Sequence, residues 1–241
     1  MNKHLINAGK AAAEILSLLE SFIAAGRTGL DINRFIENHV EKYYPGYTLP
    51  CKGYGGFPAA SCVSINNCIV HGVPDSRIIR NGDLVKVDIV VEMGGWYADS
   101  ARTYIVGEVP PDVKRLVEVT QKALYVAIAE SRPGKRTGDV GYVTQAYVEK
   151  EGFSVMRKYC GHGIGQSMHA EPSVPNYGRR GEGPEIKEGM ILAVEPMVFM
   201  GKHEIKIGPD KWSVLAEDGA MTAHFEHTIL VTKGDPVIIT A

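Results

Sequence analysis

One stretch of this chain is written twice. Residues 25–42, AGRTGLDINRFIENHVEK, return as PGKRTGDVGYVTQAYVEK at 133–150, with Gly26 aligned to Gly134, Asp31 to Asp139 and Val40-Glu41-Lys42 to Val148-Glu149-Lys150. Two further echoes follow in the same order. GDLVKVDIVV from Gly82 parallels GMILAVEPMV from Gly189, which sets Asp88 against Glu195, and the interval Asp99…Gly107 matches Glu226…Gly234. Chance likeness of two amphipathic helices accounts for one such match, but not for three in order. The chain is therefore expected to form a single domain, 1–241, from two structurally similar halves at about 1–107 and 108–241. A solenoid needs about three units, so two copies must close on each other around one shared core.

Within each half the pattern runs helix, helix, strands. Residues 4–24 and 31–43 read as helices, the second opening on an Asp31 cap after the breaks at Gly26 and Gly29. Residues 112–131 and 137–151 read as the second pair, split by Pro133-Gly134. Leu84–Glu92 and Trp96–Val106 are rich in β-branched and aromatic residues and flank Gly94-Gly95, which marks a hairpin.

That hairpin carries Asp88 and Asp99, each equally distant from Met93-Gly94, so a regular pairing sets them face to face. Directly opposed residues have Cβ atoms about 4.5–5.5 Å apart. Two carboxylates so close repel unless one holds a proton or both share a cation. An exposed acidic hairpin would escape this conflict, and the hairpin alone does not decide between the two. The second half adds Glu195 in ILAVEPMV and Glu226 in HFEHTILV, acids set among apolar strand residues with no adjacent lysine or arginine. An isolated buried carboxylate costs several kcal/mol. Converging on a pseudo-axis, Asp88, Asp99, Glu195 and Glu226 match two divalent cations in charge and donor type. Carboxylates with one imidazole suit Mn²⁺, Fe²⁺, Co²⁺ or Zn²⁺. His162, between Gly161 and Gly163, is the candidate imidazole, although His162, His71 and His169, each taken alone, read more readily as structural histidines. The glycines at 161, 163 and 165 lack the strand-to-helix context of a dinucleotide fingerprint.

A formal net charge of -2 provides no overall basic field, so nucleic acid is not an implied partner. No apolar run nears the roughly 18 residues that span a bilayer, and residues 1–20 lack the pattern of a signal peptide. Cys51, Cys62, Cys68 and Cys160 form no C-x-x-C pair, which suits reduced thiols and a cytoplasmic location.

The motifs VDIVV…YADSARTYIVG, YCGHGIG…HAEP, AVEPMV and FEHTILVT together resemble the type I methionine aminopeptidases of the pita-bread fold, over nearly the whole chain. The resemblance implies an α+β architecture: a pseudo-twofold antiparallel β-sheet with helices covering its outer face. It implies Asp88 on one metal, His162 and Glu195 on the other, and Asp99 and Glu226 bridging both, the ions being Co, Mn, Fe, Zn or Ni. It further implies hydrolysis of the first peptide bond by a water made acidic between two cations, with Glu195 shuttling the proton. His169 would hold the scissile amide and His71 would assist near the leaving group. A methionine pocket would be formed by Cys51, Tyr54, Phe57, Cys62, Met168 and Trp212, where Met168 replaces an aromatic residue common among relatives. The family sometimes binds one monovalent cation through carbonyls near Asn66, Cys68 and Thr222. The implied partners are N-terminal methionyl peptides of nascent proteins, with the ribosome nearby, for a monomeric enzyme. Relatives specific for proline, and non-enzymatic modules that have lost the acids, share the same scaffold. Phosphoester hydrolysis is open to any dinuclear site, but none of its motifs occurs here.

Overall fold

A computed structural model describes residues 2–241. Four helices are formed, α1 (Lys3–Phe22), α2 (Gly29–Tyr43), α3 (Pro111–Glu130) and α4 (Thr137–Lys150). The first strands are β1 (Tyr47–Thr48), β2 (Cys62–Ile65), β3 (Cys68–Val70), β4 (Leu84–Met93) and β5 (Trp96–Ile105). After α4 come β6 (Ser154–Val155), β7 (Gly161–Gly163), β8 (Ala170–Val174), β9 (Ile191–Val194) and β10 (Met197–Phe199). The chain closes with β11 (Ile205–Ile207), β12 (Val214–Ala216), β13 (Thr222–His224), β14 (Glu226–Leu230) and β15 (Val237–Ile238).

The main sheet has nine strands and runs β1-β4-β5-β14-β9-β7-β8, with β2 also on β4 and β15 also on β14. Its centre joins β5 to β14, so strands from early and late in the sequence meet there. Two three-stranded sheets, β13-β10-β6 and β11-β12-β3, lie beside it. No helix among the described residues is long and apolar enough to cross a membrane.

The repeated sequence folds into α2 and α4 with matching entries. Thr28 caps α2: its Oγ1 accepts from the Asp31 N–H at 3.1 Å, and its own N–H donates to Asp31 Oδ2 at 3.0 Å. Asp31 is thus the third helical residue of a capping box and not the cap itself. At the equivalent place before α4, the Arg136 N–H donates to Asp139 Oδ2 at 2.8 Å.

Side-chain alternation along the central hairpin divides core from site. Val85, Val87, Ile89 and Val91 of β4 pack with Leu5, Ala12, Ile15 and Leu19 of α1. Full burial of such side chains is worth about 1.5–3 kcal/mol each, which commits this face to the helices. The intervening Lys86, Asp88 and Val90 face away from α1, because a strand alternates with period two. Leu192, Val194 and Ile229 pack in the same way against Leu116, Ala123 and Val140 of α3 and α4. The helices therefore cover one face of the sheet, and the acids lie on the other.

The hairpin register differs from the symmetric expectation. Gly94 and Gly95 have φ of 58° and 80°, and Met93 pairs with Trp96. Two central residues of positive φ give the turn whose twist suits a two-residue hairpin loop. Asp99 consequently faces Val90, and Asp88 faces Ala101. The two acids are diagonal neighbours on one face of the sheet.

Candidate metal centre

Five segments bring the donors together. Asp88 comes from β4, Asp99 from β5, His162 from the middle of β7, Glu195 from the residue after β9, and Glu226 from the start of β14. Thr228 locks the β5–β14 join: the Asp99 N–H donates to its Oγ1 at 2.9 Å, and that hydroxyl donates to the Asp99 carbonyl at 2.8 Å. A Cβ on Gly161 would collide with the Ala193 carbonyl, and one on Gly163 with the Glu171 carbonyl. Only glycine lets β7 sit this tightly between β8 and β9.

The ligand-capable atoms form two overlapping groups. Those of Asp99, His162 and Glu226 lie within 4.8 Å of one another, as do those of Glu195, His224 and Glu226. Glu226 belongs to both, and Asp88 flanks Asp99 outside them. His162 Nε2 is 3.8 Å from Asp99 Oδ2 and 3.9 Å from Glu195 Oε1. Its Nδ1 lies 2.9 Å from the Gly163 carbonyl. A carbonyl only accepts, so Nδ1 carries the proton and the Nε2 lone pair points at the acids.

The electrostatics are unbalanced without cations. Among the described residues, the ion-pair partners of Asp99 and Glu195 are histidines alone. Burial, and then repulsion from neighbouring acids, holds Asp99, Glu195 and Glu226 well above the usual carboxylate range. Burial also raises Asp88. Asp99 Oδ1 and Glu226 Oε1 are buried without a hydrogen-bond partner. Buried carboxylates with free lone pairs and no ammonium or guanidinium within ion-pair distance are the arrangement that divalent cations stabilise.

A cavity of about 310 Å³ opens beside the acids. Cys51, Phe57, Cys62, Val90 and Met168 give it an apolar wall, with Trp212 edge-on to Phe57 at 5.3 Å between ring centroids. Burial and the nearby Asp88 keep the Cys51 and Cys62 thiols protonated, so they act as neutral, polarisable surfaces. Tyr54, His71 and His169 also line the cavity. His169 Nδ1 lies 3.1 Å from Tyr54 Oη, and its ring packs on His162 with centroids 4.3 Å apart. Burial brings His71 down to about 4, so its ring is neutral near pH 7.

The sequence matches metallopeptidase family M24 over residues 3–233. The chain belongs to this family. It is 39% identical over 241 residues to a methionine aminopeptidase of Clostridium acetobutylicum, covering 99% of this chain and 95% of that one. It is 41% identical to methionine aminopeptidase 1 of Bacillus subtilis, covering 97% and 93%. The crystal structure of a methionine aminopeptidase from Thermotoga maritima superposes with a TM-score of 0.96 at 40% identity, covering 100% and 97%. The architecture is thus the pita-bread fold, and members of family M24 are hydrolases that use divalent metal.

Every site residue expected from the sequence lies in this region of the M24 fold. The acids and His162 gather in the centre, and Cys51, Tyr54, Phe57, Cys62, His71, Met168, His169 and Trp212 surround the cavity. Sequence reasoning missed His224. Both of its ring nitrogens are buried without a hydrogen-bond partner, and Nε2 lies 3.5 Å from Glu195 Oε2. The available signal was its spacing of two residues from Glu226, which sets both on one face of an extended chain. Of the carbonyls expected to hold a monovalent cation, that of Asn66 has partners within the protein. The Asn66 carbonyl accepts from Lys86 Nζ at 2.7 Å and from Thr222 Oγ1 at 2.7 Å.

Proposed function

We propose that this chain is a two-metal aminopeptidase that removes the N-terminal methionine from peptides and nascent proteins. One observation carries the reading: a sheet face crowded with buried carboxylates borders a cavity lined by sulfur and aromatic groups. A carboxylate centre that seizes an N-terminus, set beside a slot for a flexible thioether, suits a methionyl exopeptidase. The relatives named methionine aminopeptidases, similar over nearly the full chain, support it.

Asp88, Asp99, His162, Glu195 and Glu226 would hold the ions, Glu226 being common to both clusters of donor atoms. Two cations bound there would make an attacking water acidic near neutral pH and polarise the scissile carbonyl. Glu195 presents its two oxygens to different histidines, Oε1 toward His162 and Oε2 toward His224. We read His224 as an N–H donor that orients Glu195, leaving Oε1 for the metal and the carboxylate able to carry a proton to the leaving amine. Tyr54 fixes the His169 ring through Nδ1, which leaves Nε2 to hold the scissile amide. His71, neutral at working pH, would act across the cavity near the leaving group. A positioned donor of this type is commonly worth about 2.7–4 kcal/mol in the transition state.

The test is anaerobic reconstitution with Mn²⁺ or Co²⁺ alone, followed by parallel assays on Met-Ala-Ser and Xaa-Pro peptides. Faster release of methionine is expected. Preferential cleavage of Xaa-Pro, or no turnover under any divalent metal, would overturn the proposal.

A further inference from the structure

Lys86 is an unusual side chain to find where it is. It is 1% exposed, and among the described residues no carboxylate lies within ion-pair distance of it. Strand pairing sets Ser64 on one side of it and Thr103 on the other, both neutral. A buried ammonium without an acid partner is costly, so its one strong contact needs an explanation.

That contact is with a built junction. Asn66 turns the chain between β2 and β3 with φ of 54°, and its side chain fixes the turn. Its Nδ2 donates to Asp83 Oδ1 at 2.8 Å, and its Oδ1 accepts from the Leu84 N–H at 2.9 Å. The backbone carbonyl of Asn66 is thereby held pointing inward. It receives Lys86 Nζ at 2.7 Å, Thr222 Oγ1 at 2.7 Å and the Thr222 N–H at 3.2 Å. Thr222 Oγ1 is also 3.2 Å from the Cys68 carbonyl. Three donors converge on one oxygen with two lone pairs, so an inorganic cation has no place there.

We propose that the Lys86 side chain stands in for a bound monovalent cation: its Nζ occupies the Asn66 carbonyl that a sodium or potassium ion would need, and the protein binds neither ion there. Nζ fills the position in either protonation state. The junction ties the β2–β3 turn to β4 two residues before Asp88, and to β13 four residues before Glu226. A tethered side chain gives that tie without dependence on the surrounding salt. The inference is independent of the substrate assignment and is read from stability.

Melting temperatures of the unmodified protein and of Lys86→Asn would be compared in sodium, potassium and N-methylglucamine chlorides at equal ionic strength. The unmodified protein is expected to melt at the same temperature in all three. Lys86→Asn, which opens the junction, should melt lower in N-methylglucamine and recover by several degrees in sodium or potassium. For a chain of this size about 2–4 °C corresponds to one kcal/mol. Lys86→Met, which fills the space without a donor, should be weakened equally in every salt. A saturable rise in the melting temperature of the unmodified protein with either ion would overturn the proposal, as would a folded Lys86→Asn protein indifferent to the cation. Should Lys86→Asn not fold, thallium-soaked crystals of the unmodified protein still decide: an anomalous peak at the Asn66 carbonyl refutes the proposal, and its absence supports it.

Discussion

His224 Nε2 lies 3.5 Å from Glu195 Oε2, on the side of the carboxylate away from His162. Neither nitrogen of this buried ring has a hydrogen-bond partner. If the ring orients Glu195, His224→Ala should weaken divalent-metal binding by about 10–100-fold, the usual effect of removing a group that steadies a ligand. His224→Gln retains an N–H donor and should lose much less. Isothermal titration with Mn²⁺ would read both, and unchanged affinity in the alanine variant would remove His224 from the site.

Asp99→Asn replaces a carboxylate of the proposed metal centre by a neutral isostere. Activity should drop by at least about 10²-fold, the scale of losing one preorganised electrostatic group. The circular dichroism spectrum should not change, because the ties from the Asp99 backbone to Thr228 survive the substitution. Near-normal turnover would show that Asp99 is not shared by the metals.

His169→Ala should lower kcat by about 10²–10³-fold with little change in KM, since a contact that strengthens in the transition state acts on the chemical step. Tyr54→Phe removes the hydroxyl beside His169 Nδ1 and should give a weaker effect of the same kind. An effect confined to KM would reassign His169 to substrate binding.

Chelation should make stability depend on pH in a defined sense. Asp99, Glu195 and Glu226 have folded pKa values above their unfolded ones. Their favourable contribution is complete below the ordinary carboxylate range of about 4 and is lost as pH rises through the raised values. His71, His162 and His224, held down to about 4 by burial, act oppositely: their contribution is present above about 6.5 and lost as pH falls toward 4. The gain in melting temperature on adding Mn²⁺ to chelated protein should therefore grow as pH rises above the ordinary carboxylate range, as the acids ionise and the ions relieve their repulsion. A gain that falls as pH rises would overturn this reading.

Much of this site is legible in the sequence because charge inside apolar strands is conspicuous. Asp88 within LVKVDIVV and Glu226 within HFEHTILV are acids where periodicity demands burial, and the cost of burying them points to cations. The hairpin itself is legible, but its register is not. Counting outward from Met93-Gly94 pairs Asp88 with Asp99, whereas the positive φ of Gly94 and Gly95 moves the loop one residue along and gives Asp99 to Val90. Asp31 is visible as a helix-start signal, while the choice of Thr28 as the cap depends on which residue turns extended. His224 and Lys86 escape notice for a common reason. Each acquires its meaning from residues far away in sequence, Glu195 for the first and Asn66 for the second.

The Gly94-Gly95 turn guards more than geometry. Were the hairpin to slip by a single residue, Lys86 and Asp88 would swap sides with Val85, Val87, Ile89 and Val91 and be driven beneath α1. Two charged groups would then sit in hydrocarbon while four branched chains stood out in the acidic hollow. Such a molecule would not persist as a well-folded but inert copy. Errors of alignment in this hairpin should surface as insoluble or degraded protein, so nearly every intact molecule carries its acids on the correct side.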